Sequence, residues 1–228
     1  MKKLLFWMVL IVGIVALIGS CAKKDEETDA TAAADNTTST TSDNATSTTK
    51  YISTTTTASG SITMGDDTLS GVYASECLTS ASLIALFKAI GFWASEVNAY
   101  GEVFVVTGSD NISIELYAFT DTSCSNLSQC QKTVSDNVTF GSASGSNYPV
   151  TYNNQTQALT VHTTAAETAL ETLYSNALDF IVGTPIELPV SGSGLKYGLW
   201  TLSGTTWYEA SSSSATPTSA GTVPHVKQ

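Results

Sequence analysis

The sequence predicts a mainly β fold, an antiparallel β-barrel or β-sandwich with two helices, placed after a disordered N-terminal tether. Segments rich in β-branched and aromatic residues recur between residues 69 and 210 and alternate with short turn-forming segments. Two other segments carry apolar residues at helical spacing. Over 28–61, 19 of 34 residues are Ser or Thr, a composition that buries too little apolar surface to order the chain.

The N-terminus predicts export and a lipid anchor. Lys2 and Lys3 precede an apolar run over 4–18, which is short for a membrane span and ends at Gly19-Ser20-Cys21. This order resembles the lipobox of bacterial lipoprotein signal peptides. The resemblance implies a signal peptide over 1–20, fatty acylation (palmitate) of Cys21 and attachment to the lipid bilayer. The alternative is an uncleaved signal anchor with an incidental Cys.

The residues after Cys21 favour one membrane of the bacterial cell envelope. Ala22 follows the cysteine, whereas an Asp there would retain some bacterial lipoproteins in the inner membrane. The outer membrane is therefore favoured over the inner one.

Composition divides the chain into four parts and excludes one class of partner. We expect a signal peptide over 1–20, a Ser/Thr-rich tether over 21–63, a β-rich head over 64–210 and a flexible tail over 211–228. The chain has nine Lys, no Arg and a net charge of −11, so it lacks the cations that bind nucleic acid phosphates. The sequence leaves the oligomeric state open.

The elements of the head follow from local patterns. The spacing of Leu83, Phe87 and Ile90 predicts a helix over 80–92, and a capping-box pattern at Thr164 and Glu167 predicts another over 164–178. Strands and hairpins are predicted elsewhere. They are a strand over 69–77, a hairpin of 100–107 with 111–120, a strand over 133–140, a hairpin of 149–153 with 158–163, and a hairpin of 195–202 with 206–210.

Three cysteines of the head predict one disulfide. In an oxidising compartment two of Cys77, Cys124 and Cys130 should pair, and the residues alone leave all three pairings open. A zinc site of Cys124, Cys130 and His162 is disfavoured, because five residues separate the two cysteines. We predict no metal and no cofactor.

Short motifs of the head resemble those of small lipocalin-like bacterial lipoproteins. They are Gly71-Val72-Tyr73 followed by Cys77, Phe119-Thr120-Asp121-Thr122-Ser123-Cys124 after a hairpin, and Tyr197 to Tyr208 as a closing hairpin. The resemblance implies a lipocalin-like barrel and a Cys77–Cys124 disulfide.

The candidates for catalysis are sparse. His162 would serve as the base for a serine, but no G-x-S-x-G turn is present. Four acids are candidates for a carboxylate pair: Glu96, Glu102, Glu115 and Asp121. Glu102 and Glu115 fall on paired strands, so a cavity faced by both side chains is one hypothesis. Acids on strand faces are usually solvated, and Asp66-Asp67 fits a turn better than a calcium site. We therefore do not predict an enzyme.

Aromatic residues on the predicted strands either fill the core or line a cavity. The leading hypothesis is non-catalytic binding of a small hydrophobic or amphipathic ligand inside the barrel, with Tyr73, Phe104, Tyr117 and Trp200 as ligand-binding candidates. The alternative is a surface or periplasmic protein-interaction or adhesive module with a filled core.

Overall fold

A computed structural model describes residues 50–190 and 194–228. The signal peptide, Cys21 and most of the predicted tether lie outside the described residues. The described chain forms eleven strands and two helices. They are β1 (Ile62–Met64), β2 (Asp67–Leu69), β3 (Val72–Ala74), α1 (Ala81–Ala89), β4 (Ala99–Val106), β5 (Ile112–Phe119), β6 (Leu127–Phe140), β7 (Asn147–Val161), α2 (Thr164–Leu173), β8 (Pro185–Leu188), β9 (Leu195–Ser203), β10 (Thr206–Ser212) and β11 (His225–Lys227).

Eight strands form a closed antiparallel barrel in the order β3-β4-β5-β6-β7-β9-β10-β11. Pairing of β11 with β3 closes the ring. The eighth strand along the chain, β8, pairs with Gln157–Thr160 of β7, on the edge where β9 pairs with Asn147–Asn153. The predicted antiparallel β-barrel with two helices is therefore confirmed, and each wall strand neighbours the next wall strand in sequence, as in up-and-down barrels.

Alternation along the strands builds two apolar clusters inside the barrel. The upper core lies at the end covered by α1 and α2 and includes Phe87, Phe92, Trp93, Tyr100, Leu159 and Leu170. The lower core lies at the other end, where the β1–β2 hairpin packs, and includes Met64, Tyr73, Phe104, Ile112, Trp200 and Trp207. The aromatic rings of the lower core are in contact, with centroids 4.6 Å apart for Trp200 and Trp207.

Residues 50–59, here called the strap, pack on the outside of the barrel. Ile52 is 4% exposed and lies in a third cluster with outward-facing Val103 and Val105. The sequence predicts a tether here because Tyr51 and Ile52 are the only large apolar residues of this Thr-rich segment. The folded head therefore begins before residue 64.

The predicted tail over 211–228 is also incorrect in part. Ser211 and Ser212 belong to β10, and His225–Lys227 forms β11 between β10 and β3. A strand of three residues is too short to show an alternation of apolar and polar residues in the sequence. The position of β11 is set by its pairing with β10 and β3, which are far apart in the chain.

The two predicted helices are present with shorter bounds. The first covers Ala81–Ala89. The second is capped by Thr163, whose side chain accepts a hydrogen bond from the Ala166 N–H, so the cap lies one residue before the predicted Thr164. Ser175 and Asn176 have positive φ and end this helix well before residue 178.

Candidate functional site

A cavity of about 200 Å³ lies inside the barrel between the upper and lower cores. A cavity of roughly 150 Å³ can hold a benzene-sized molecule, so this one has room for a ring with a short chain. Its apolar wall consists of Phe87, Phe92, Phe104, Ile114 and Leu116. Its polar lining includes Glu102, Glu115, Gln131, Thr133, Tyr152, Asn154, Gln157, Lys196, Glu209 and Ser211 to Ser213.

Register explains why acidic side chains face the cavity. Glu102 lies two residues before inward-facing Phe104 on β4, so both side chains point to the same side of the wall. Glu209 lies two residues after Trp207 on β10 and is paired in register with Trp200. Both carboxyl groups therefore lie just above the lower core, a position we call the floor of the cavity.

His225 fixes one of the two carboxylates. Its Nε2 lies 3.1 Å from Oε2 of Glu102, and its ring packs edge-on against Phe104 at 4.7 Å between centroids. The His225 side chain is 1% exposed, and its Nδ1 has no hydrogen-bond partner among the described residues. This contact joins β11 to β4 across the short strand β3.

Among the described residues, Glu209 forms no ion pair with a Lys or His side chain. Its Oε1 accepts a long hydrogen bond from the Tyr152 hydroxyl, at 3.4 Å. Burial raises the pKa of Glu209 to about 7, and the negative charge of Glu102 adds to this rise. Within residues 50–190 and 194–228, no Lys or His nitrogen lies within ion-pairing distance of this carboxyl. The floor therefore carries a carboxyl group that gains or loses a proton near neutral pH.

The opposite side of the cavity reaches the surface near Lys196. Ser213, which lines the cavity, is exposed, so the cavity opens to solvent where β10 ends. Lys196 on β9 is half-buried, and burial lowers the pKa of its ammonium group. The described part of the chain provides it with neither an ion pair nor a side-chain hydrogen bond.

The predicted ligand-binding residues have three different positions. Phe104 lines the cavity. Tyr73 and Trp200 are buried in the lower core beneath it. Tyr117 lies on the outside of the barrel wall, where its hydroxyl hydrogen-bonds Glu115 and its ring stacks on Phe119. The prediction that Tyr117 lines a barrel cavity is therefore wrong. Its neighbour Leu116 faces the cavity, and alternation along β5 turns Tyr117 to the outside.

The predicted pair of Glu102 and Glu115 is not brought together. Register pairs Glu102 with Leu116, and Glu115 with Val103, so the two carboxylates lie on opposite faces of the wall. Glu115 is covered by the strap and hydrogen-bonds Thr54 at 2.6 Å. The carboxyl group that faces the cavity with Glu102 belongs to Glu209. Glu209 lies two residues after Trp207, so the two side chains share one face of β10, and this spacing is visible in the sequence.

The cysteines follow the pairing that the lipocalin-like resemblance implies. Cys77 and Cys124 form a disulfide that joins residues 47 apart in sequence. Cys130 is free and half-buried on β6, and burial raises the pKa of its thiol to about 12. Since the Cys124 sulfur is in the disulfide, it cannot complete a zinc site with Cys130 and His162.

Because comparisons with known proteins give no relative, the function of this protein has to be inferred from its fold and its cavity. Neither the protein-family models nor the curated protein sequences give a match for this chain. In the part of the chain that the structure describes, no helix is long and apolar enough to cross a membrane. The geometry defines an eight-stranded antiparallel barrel with an internal cavity of mixed polarity.

Proposed function

We propose that this protein binds a small amphipathic ligand inside the barrel, without catalysis. The observation that carries the proposal is the cavity of about 200 Å³ between the two cores, which is open at the end of β10. Ligand sites in proteins are typically concave and largely apolar, with a few polar groups that orient the ligand.

The mixed lining of the cavity supports an amphipathic ligand rather than a purely apolar one. Phe87, Phe92 and Leu116 offer apolar surface beneath the helices. Gln131 on β6 is the register partner of Leu116, and Gln157 lies on the next strand, β7. Their side-chain amides line the cavity and make no hydrogen bond among the described residues. A ligand with both an apolar body and polar atoms would satisfy these amides, whereas a hydrocarbon would leave them unpaired.

We further propose that the barrel is held at a bacterial membrane through acylated Cys21. The lipobox-like order of residues 18–21 supports this proposal, and Cys21 lies outside the described residues. The described strap begins at Lys50, so 28 residues would separate the lipid from the barrel over 22–49. Such a spacer would keep the opening of the cavity accessible above the membrane surface.

Filling the cavity tests the binding proposal. Leu116→Trp adds bulk to the apolar wall, and Thr156→Trp adds the same side chain at an exposed position of β7. We expect native mass spectrometry of the full chain to show a small-molecule adduct on the wild type and on Thr156→Trp, and its loss in Leu116→Trp.

The same measurement can contradict the proposal. A folded Leu116→Trp variant that retains the adduct would place the ligand outside the barrel. A wild type without an adduct that also fails to bind the amphipathic probes described below would favour the filled-core interaction module instead.

A further inference from the structure

We propose that the ligand carries a positively charged amine that binds against Glu209 and Glu102 on the floor, with its apolar body towards Phe87 and Leu116. This inference rests on the proposed function and names the chemical class of the ligand. It follows from the placement of charges around the cavity.

The floor carries more negative than positive charge. Glu102 from β4 and Glu209 from β10 both line the cavity, and their charges act on each other. Among the described residues, His225 is the one Lys or His side chain within ion-pairing distance of these carboxyl groups, and its Nε2 is directed at Glu102. When Glu209 is ionised, one carboxylate therefore lacks a counter-ion, in a position where burial makes this costly.

The other polar groups around Glu209 do not supply the missing charge. Tyr152 from β7 donates a long hydrogen bond, and the Ser211 side chain also hydrogen-bonds Glu209, but both hydroxyl groups are neutral. Lys196 on β9 is four residues before Trp200, the register partner of Glu209. Four residues of strand span roughly 13 Å, so Lys196 lies towards the opening rather than at the floor.

A cationic group fits this floor better than the alternatives. A carboxylate would have to approach two acidic side chains, and a neutral group would leave Glu209 without a counter-charge. An ammonium group can donate hydrogen bonds to Glu209 and Glu102 together, and the nearby Phe104 ring offers a favourable face to a cation.

The affinity for an amine should rise with pH. Because Glu209 in the empty barrel has a pKa of about 7, an amine that binds below this pH must displace its proton. The groups that face Glu209 are Glu102, His225, Tyr152 and, towards the opening, Lys196.

Three matched probes test the charge of the ligand on the full chain. Phenethylamine, phenethyl alcohol and phenylacetate share a phenyl ring on a short chain and differ in charge. By isothermal titration calorimetry near pH 8 we expect phenethylamine to bind about tenfold more tightly than phenethyl alcohol, since a charge-assisted hydrogen bond outweighs a neutral one. We expect this preference to fall by about tenfold near pH 6.

Glu209→Gln should remove both the preference for the amine and its pH dependence. Glu187→Gln, at an exposed position of β8, should retain both. Gln preserves the shape of the Glu side chain. Circular dichroism of Glu209→Gln serves as the control that the barrel remains folded.

The possible failures are distinguishable. If phenethyl alcohol or phenylacetate binds as tightly as phenethylamine at pH 8, or if Glu209→Gln keeps the preference, the amine inference is wrong. The binding proposal then stands, provided that Leu116→Trp abolishes binding of the better probe. If none of the three probes binds and the wild type carries no adduct, both proposals fail.

Discussion

Glu115 shows how one buried acid can serve structure rather than chemistry. Its side chain is 2% exposed on the outside of the barrel, where it accepts hydrogen bonds from Thr54 and Thr56 of the strap and from Tyr117. The Lys132 ammonium lies 3.7 Å away. Burial alone would raise the pKa of Glu115, but these hydrogen bonds and the lysine charge outweigh it and lower the pKa.

Glu115→Gln should destabilise the protein by about 2–4 kcal/mol at neutral pH. The substituted amide places a donor against hydroxyl donors and removes the charge that faces Lys132. Because the pKa of Glu115 is lowered on folding, its contribution is present above its ordinary value of 4.5 and is lost as the pH falls further. The deficit, measured by urea unfolding, should therefore shrink in acid.

Glu187→Gln is the matched control, since Glu187 is exposed on β8. It should leave the free energy of unfolding within about 0.5 kcal/mol of the wild type. An equal loss in both variants, or a deficit of Glu115→Gln that grows in acid, would contradict the assigned role.

Among elements, the strap depends on a glycine in the barrel wall. A Cβ added to Gly101 would lie 2.2 Å from Cγ1 of Ile52, so the glycine on β4 makes room for this side chain. The strap is further held by backbone hydrogen bonds from Ile52 to Ser75 and from Ser59 to Val106. Its side-chain bonds to Glu115 complete this attachment.

Gly101→Ala should release the strap while the barrel remains folded. We expect faster hydrogen exchange at the Ile52 and Ser59 amides and a loss of about 1–3 kcal/mol in stability, since the added methyl group displaces Ile52. Gly141→Ala is the control, because its added Cβ would meet Pro149 only at an ordinary contact distance of 3.5 Å. Unchanged exchange in Gly101→Ala would show that Ile52 moves aside without loosening the strap.

The sequence predicts elements well where a pattern is local. β5 alternates over its whole length, β4 is rich in β-branched and aromatic residues, and both helices carry regular apolar spacing, so these predictions are confirmed. The strap and β11 were missed, because their place depends on partners far along the chain. The sequence therefore places His225 in a tail, and its contact with Glu102 at the floor of the cavity could not be predicted.

Tyr117 and Glu115 show a second limit of sequence patterns. Alternation along β5 separates two sets of residues but does not state which set faces inward when both faces are covered. The strap buries the outer face, so polar residues there resemble cavity residues in sequence. Only the register and the strap decide between the two.

For the whole molecule, Glu209 makes stability depend on pH. Its pKa is about 7 in the folded state against an ordinary value of 4.5, so the folded protein binds the extra proton between these values. Stability should therefore fall as the pH rises from 4.5 to 7, by at most about 3 kcal/mol from this group. With an empty cavity, the barrel should therefore be less stable when Glu209 is ionised than when it is protonated.

Glu209→Gln should remove this dependence. We expect the variant to exceed the wild type by about 1–3 kcal/mol near pH 8 and to approach it near pH 5, in urea unfolding followed by tryptophan fluorescence. A variant that is less stable than the wild type at pH 8 would mean that the ionised carboxylate is already well solvated in the empty barrel.

Closure of the ring by β11 has a consequence for how the protein folds. Tyr73 pairs with Lys227, so the final seam joins residues from opposite ends of the described chain. Contacts of such sequence separation form slowly. Until this seam forms, β3 and β10 present unpaired backbone groups that can template pairing with another chain. We therefore expect aggregation mainly before β11 (His225–Lys227) has paired with β3 and β10.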